Sequence, residues 1–182
     1  MGLPTKLHVF DFDKTLFRSP ERPEGWEGGW WGKLDSLSPP LVPKQPDDEW
    51  WNDSVVKAAK RAIANADVVA VVVTGRLQKF SLRLTELLAQ AGLSGFDAVY
   101  LSGGGPTDAY KLGVLKELLA DNPTVRGVAL WDDNGEQLRK FADWVEAGGR
   151  AAIPHLITVP SHEPEGTPSA AKVAGLYLSR RQ

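Results

Sequence analysis

Leu7-His8-Val9-Phe10-Asp11-Phe12-Asp13-Lys14-Thr15 is the stretch from which the fold of this chain is read. A short apolar run leads straight into two carboxylates, the pattern of a buried strand that delivers acids at its C-terminal end. In an extended strand residues two apart face the same way, so Asp11 and Asp13 point into one pocket while Phe12 packs oppositely. Two acids in one pocket can divide labour, one attacking phosphorus and its neighbour moving the proton of the leaving oxygen. Their crowding also favours a bound cation. An isolated Asp-x-Asp more often caps backbone amides at a turn, so the rest of the chain has to decide.

The same pattern recurs twice downstream. Val68 to Val73 is apolar on both faces, as a central parallel strand must be, and stops at Thr74-Gly75-Arg76. Val125 to Trp131 stops at Asp132-Asp133, and a shorter strand over Asp97 to Leu101 stops at the turn Ser102 to Pro106. Between them lie helical periodicities. One runs through Val55, Val56, Ala59 and Ile63 behind an Asn52 or Asp53 cap, and one through Phe80, Leu84, Leu87 and Leu88, closed by Gly92. A third covers Tyr110 to Ala120, and a fourth runs from Gln137 to Val145 and is stopped by Gly148-Gly149. Leu156 to Val159 reads as a last strand. Alternating strands and helices predict an α/β fold, a Rossmann-like three-layer sandwich around a central parallel sheet, with ligands outside the carboxyl ends of the strands.

The 182 residues suit one domain, expected over residues 1–160, with 161–182 a linker and a short terminal helix. A hydrophobic share of 42% and a charged share of 24% belong to a soluble globular chain. A formal charge of -2 supplies no broad field for polyanions, and the absence of cysteine excludes disulfides, thiolate nucleophiles and zinc–cysteine sites. No apolar run approaches the ~20 residues of a membrane span, and the N-terminus lacks the make-up of a signal peptide. A cytoplasmic location is the expectation.

The remaining candidates follow from the strand exits. Thr74 beside Gly75 can offer a hydroxyl and unobstructed backbone amides to a phosphoryl oxygen, with Arg76 either assisting or solvated. Lys111 falls early in its helix, where the dipole disfavours a cation unless an anion compensates it. Asp132-Asp133 presents hard oxygens suited to Mg²⁺, or else caps the following helix.

Taken together, an acid pair, a small hydroxyl, a lysine and a second acid pair, in that order, make the chain resemble the haloacid dehalogenase (HAD) superfamily. Within it, Phe10 to Pro20, the Trp-rich stretch and Val73-Thr74-Gly75-Arg76 are similar to the Swiss Army Knife RNA-repair group. The resemblance implies Mg²⁺ as cofactor, Asp11 as nucleophile and Asp13 as general acid/base. It places the metal on Asp11, Asp132 and Asp133 and on the Asp13 backbone carbonyl. It assigns phosphate contacts to Thr74 and Lys111, with Thr15, Arg18, Gly75 and Arg76 nearby. In that group a histidine follows the paired aspartates by four residues, and here the position is Gln137.

Only 36 residues separate Thr74 from Lys111, which leaves no room for a large cap, so any cover over the site comes from the irregular insert of residues 19–53. That insert holds Trp26, Trp30, Trp31, Trp50 and Trp51. Flat indoles stack on bases or sugars, with Trp26, Trp30 and Trp31 the candidates for substrate contact, but they equally anchor a loop to a core. The reading is a phosphomonoesterase working through a phospho-aspartate, with a nucleic-acid end as the substrate partner ahead of a nucleotide or other small ester. The alternatives are a phosphotransferase and a non-catalytic binding protein using its Trp-rich surface.

Overall fold

The computed structural model describes residues 2–23, 26 and 28–162. One parallel sheet runs in the order β3-β2-β1-β4-β5, comprising β1 (Lys6–Phe10), β2 (Val68–Leu77), β3 (Ala98–Ser102), β4 (Gly127–Asp132) and β5 (Ala151–Leu156). Parallel neighbours require crossovers over a face of the sheet, and four helices supply them: α1 (Asp53–Ile63), α2 (Ser81–Gln90), α3 (Thr107–Asp121) and α4 (Gly135–Ala147).

The two-residue period of the strands sorts their side chains onto two cores. Phe10, Ala70, Val72, Ala129 and Trp131 pack with Val55 and Ala59 of α1 and Leu84 and Leu87 of α2. Leu7, Val71, Val73, Val128 and Leu130 pack instead with Val114, Leu115 and Leu118 of α3 and Leu138, Phe141 and Val145 of α4. Helices therefore cover both faces, which is the expected three-layer sandwich. From β1 the chain builds outward to β2 and β3, and α3 then carries it back past β1 to β4. The carboxyl ends of β1 and β4 flank this switch in strand order, the place where open α/β sheets bind ligands.

Several boundaries differ from the periodicity. β2 does not stop before Thr74 but continues to Leu77, through a register shift between Thr74 and Leu77 in its pairing with β3. β4 starts at Gly127 rather than Val125, and α3 starts at Thr107 rather than Tyr110. The last strand is Ala151–Leu156, earlier than the expected Leu156 to Val159, and it contains Pro154. That proline hid it. β5 is an edge strand, where a residue without an N–H is tolerated.

Among the described residues the insert has no sheet of its own and folds as three 3-10 turns, Trp30–Gly32, Leu34–Leu37 and Asp48–Trp50. Its grip on the sandwich comes from α2, where the Arg83 guanidinium donates to the carbonyls of Leu37 (2.8 Å), Pro43 (2.7 Å) and Lys44 (3.0 Å). Trp50 and Trp51 are buried against Phe17, with ring centroids 5.6 and 4.9 Å away. Each ring buried in this way removes roughly 150–250 Å² from water, worth about 4–6 kcal/mol before ordering costs. The terminal helix expected after residue 161 lies outside the described residues, and no described helix is long and apolar enough to cross a membrane.

Candidate active site

Hydrogen bonding of β1 continues one residue past the strand, the Asp11 N–H donating to the Trp131 carbonyl at 2.9 Å, and this fixes Asp11 over the sheet edge. The chain then reverses. Lys14 takes a left-handed conformation (φ 56°), and the amides of Thr15 and Phe17 both donate to the Phe12 carbonyl. Asp11 and Asp13 consequently leave from a turn, not from the extended strand that their spacing suggested, yet both still line one open cleft. The turn also brings back Thr15, fully buried, whose hydroxyl donates to Asp11 Oδ2 at 3.2 Å. Thr15 thus positions the carboxylate from below.

Lys111, one turn into α3, resolves the conflict with the helix dipole by sitting between two anions. Its Nζ donates to Asp11 Oδ1 at 2.7 Å and to Asp132 Oδ2 at 2.9 Å, and all three side chains are nearly sealed from solvent. Burial raises the Asp11 pKa, with Asp132 and Asp13 adding to the rise and Lys111 opposing it. Burial alone would lower that of Lys111, but the two carboxylates more than offset it and hold the ammonium protonated.

Asp13 has a different environment. Arg76 grips it through both oxygens, Nε to Oδ2 at 2.8 Å and Nη2 to Oδ1 at 2.6 Å, and the Ser19 hydroxyl donates to Oδ1 at 2.6 Å. Burial by itself would raise the Asp13 pKa, but the guanidinium and the hydroxyl outweigh it and keep the carboxyl below its usual range. Arg76 is only 2% exposed. It is neither a solvated side chain nor a free phosphate ligand, and the irregular pairing of β2 after Thr74 explains why, since such a bulge re-aims the side chains that follow it.

The other expected phosphate contacts divide. Gly75 lines the cleft, and a Cβ there would stand 2.8 Å from Thr107 Cγ2, so a larger residue would have to displace the Thr107 side chain at the start of α3. Thr74 is completely buried beneath it, its hydroxyl accepting from the Arg76 N–H at 3.2 Å. Arg18 is not brought to this cleft. It lines a separate cavity with Glu21, Glu49 and His162, donating to the carbonyls of Glu49 and Pro160.

Of the three tryptophans expected to stack on substrate, Trp30 is 1% exposed and packs edge-on against Trp26, an anchoring role that removes it from the cleft. Trp26 does not line the cleft either, whereas Trp31 does. Gln137, passed over as a departure from a pattern, turns out to be a buried partner of the site, its Nε2 donating to Asp132 Oδ2 at 2.8 Å. Its position four residues after Asp133 was the available signal. Thr107, Lys14 and Asn134 also line the cleft, and no sequence pattern singled them out.

One carboxylate oxygen each from Asp11, Asp132 and Asp133 lies within 4.8 Å of the others. Four aspartates and three cationic side chains, Lys14, Arg76 and Lys111, line the cleft, a formal balance of one negative charge when every aspartate is ionised. Three hard oxygen donors with a deficit of positive charge fit a divalent cation. No histidine takes part in a metal-type cluster among the described residues.

A parallel sheet with acids at the exits of β1 and β4, and a lysine from α3 between them, defines a HAD domain. The chain belongs to HAD domain family 1 of the Swiss Army Knife RNA repair proteins, whose sequence profile matches residues 13–168. The Saccharomyces cerevisiae protein YMR265C is 28% identical over 75% of this chain and 36% of its own length. The chain thus spans about a third of that curated relative. Two solved structures share the fold. A chain of the Pnkp1/Rnl/Hen1 RNA repair complex matches with a TM-score of 0.51 at 17% identity, covering 85% of this chain and 43% of that one. The HAD domain of the Legionella pneumophila effector Lem4 matches with a TM-score of 0.50 at 14% identity, covering 97% of this chain and 95% of its own.

Proposed function

We propose that this domain is a Mg²⁺-dependent phosphomonoesterase that forms a phospho-aspartate on Asp11 and acts on the terminal phosphate of a nucleic acid. The observation that carries the chemistry is the Asp11–Lys111–Asp132 array, a carboxylate held rigid by Lys111 and Thr15 at the floor of an open cleft of about 430 Å³. A carboxylate with both oxygens engaged does not have to be oriented at the moment of attack. Its repulsion toward an incoming phosphate is lowered by the ammonium beside it.

Asp11 would attack phosphorus while the bond to the leaving oxygen breaks, and that oxygen would take its proton from Asp13. The negative charge of the phosphate beside Asp13 favours the protonated acid that this step needs. Asp13 would then remove a proton from water, whose oxygen attacks the phospho-aspartate, releasing inorganic phosphate and restoring Asp11. Asp11, Asp132 and Asp133 would hold Mg²⁺, which when bound neutralises phosphoryl charge. The nucleic-acid preference draws on membership of an RNA-repair family and on the absence of a large cap domain among the described residues.

The test is phosphate release with Mg²⁺ or excess chelator from 3′- and 5′-phosphorylated oligonucleotides, mononucleotides and a small alkyl phosphate. Release that needs Mg²⁺, is lost in Asp11→Asn and is fastest on an oligonucleotide end is expected. A folded, Mg²⁺-supplied wild type inactive on the whole panel would sink the phosphatase reading, and a preference for the alkyl phosphate would sink only the choice of substrate.

A further inference from the structure

We infer that Trp31 is the platform on which the nucleoside adjoining the scissile phosphate stacks, and that Arg76 holds this platform on the side of the cleft where the leaving group departs. The inference rests on the phosphatase reading for the identity of the leaving group. Its structural part stands on the contacts that one guanidinium makes with four residues.

Arg76 grips Asp13 with Nε and Nη2, while its Nη1 donates to the Trp31 carbonyl at 3.1 Å and to the Ser36 hydroxyl. The same group lies 5.0 Å from the centroid of the Trp31 ring and 4.9 Å from that of Phe80. Trp31 is therefore tied to the general acid by both its backbone and its indole. The general acid must touch the leaving oxygen, so the leaving group lies beside Asp13. What waits there is an indole that remains 39% exposed and lines the cleft.

The other tryptophans of the insert show that this exposure is not a property of the whole segment. Trp30, Trp50 and Trp51 are buried at 1%, 2% and 7%, spent on anchoring the loop. An exposed indole loses little side-chain entropy when its backbone is already pinned, and a base or ribose face is the flat partner it suits. The Lys14 ammonium lies 5.8 Å from the same ring centroid but is paired with Glu21 at 2.6 Å, so a phosphodiester continuing from the nucleoside would have to compete with that carboxylate for it.

The experiment compares wild type, Trp31→Ala and Trp31→Phe on a phosphorylated oligonucleotide and on glycerol phosphate, whose leaving group has no ring. Stacking on one base is worth ~1–3 kcal/mol, so Trp31→Ala should lower kcat/KM on the oligonucleotide roughly 5- to 150-fold, chiefly through KM. Trp31→Phe should recover part of it, and the loss in Trp31→Ala should be several-fold smaller on glycerol phosphate than on the oligonucleotide. Equal loss on both substrates would reduce Trp31 to a support for Arg76 and overturn the inference, as would no loss on the oligonucleotide. Equilibrium binding of the same oligonucleotide to Asp11→Asn, with and without Trp31→Ala, is read in parallel and needs no turnover. Weaker binding in the double variant supports the platform even if no substrate is hydrolysed, and unchanged binding overturns it.

Discussion

Replacing Lys111 with Met removes an ammonium that touches two carboxylates, at 2.7 Å from Asp11 and 2.9 Å from Asp132, while keeping the length and volume of the stem. Asp11 and Asp132 are 7% and 5% exposed, so water cannot take over from the lost cation. Removing one partner of a buried ion pair costs about 3–5 kcal/mol, because the charge left behind stays desolvated. At ~2–4 °C per kcal/mol for a domain of this size, the variant should melt about 6–20 °C below wild type in excess chelator. A divalent cation on the freed carboxylates should recover part of the loss, so Mg²⁺ should raise the Tm of the variant more than that of wild type. Burial raises the Asp11 pKa and Lys111 opposes the rise, so in the variant the folded state holds more protons than the unfolded one. Stability then falls as pH rises through the raised Asp11 value, about 8 in wild type and higher without the ammonium, so the deficit should be smaller at pH 6 than at pH 9. Thermal unfolding followed by circular dichroism reads all three effects. A fall of less than about 3 °C in chelator at neutral pH would refute the account of Lys111 as the charge that makes this site foldable.

Two further outcomes are expected. Gln137→Leu should weaken divalent-metal binding about 10- to 100-fold by freeing Asp132 Oδ2 from its amide donor, with partial recovery in Gln137→His. Calorimetric titration with Mn²⁺ checks it, and unchanged affinity in Gln137→Leu would count against the role. His8 has its pKa lowered by burial and then by Lys6 and His155, and its Nδ1 is buried without a hydrogen-bond partner among the described residues. The neutral ring is the folded form, so the stability that depends on it is present above pH ~6.5 and is lost as pH falls through the depressed value. His8→Leu should therefore lose less stability than wild type between pH 7.5 and 5.5, measured as the shift in urea midpoint, and identical shifts would contradict this.

The fold class and the array at the sheet edge were legible along the chain because both depend on short-range regularities. Val68 to Val73, apolar at every position, can only be a strand covered on both faces, and such strands end where polar ligand-binding residues begin. Asp11, Lys111 and Asp132 were found because their residue types announce their chemistry, and the topology then brings together positions 100 residues apart. Tertiary structure alone decided what each polar group does with its neighbours. Nothing in Thr74-Gly75-Arg76 tells that the arginine turns to clamp Asp13, because a bulge between two strands re-aims it. Nothing in five tryptophans of one loop tells that Trp30, Trp50 and Trp51 are sealed in while Trp31 faces the cleft, because burial depends on where Arg83 and the aromatic core pin the insert. Pro154 disguised an edge strand for the same reason, since being at an edge is a property of the whole sheet. Periodicity reports which side of an element is apolar, and only the folded chain reports which partner fills the other side.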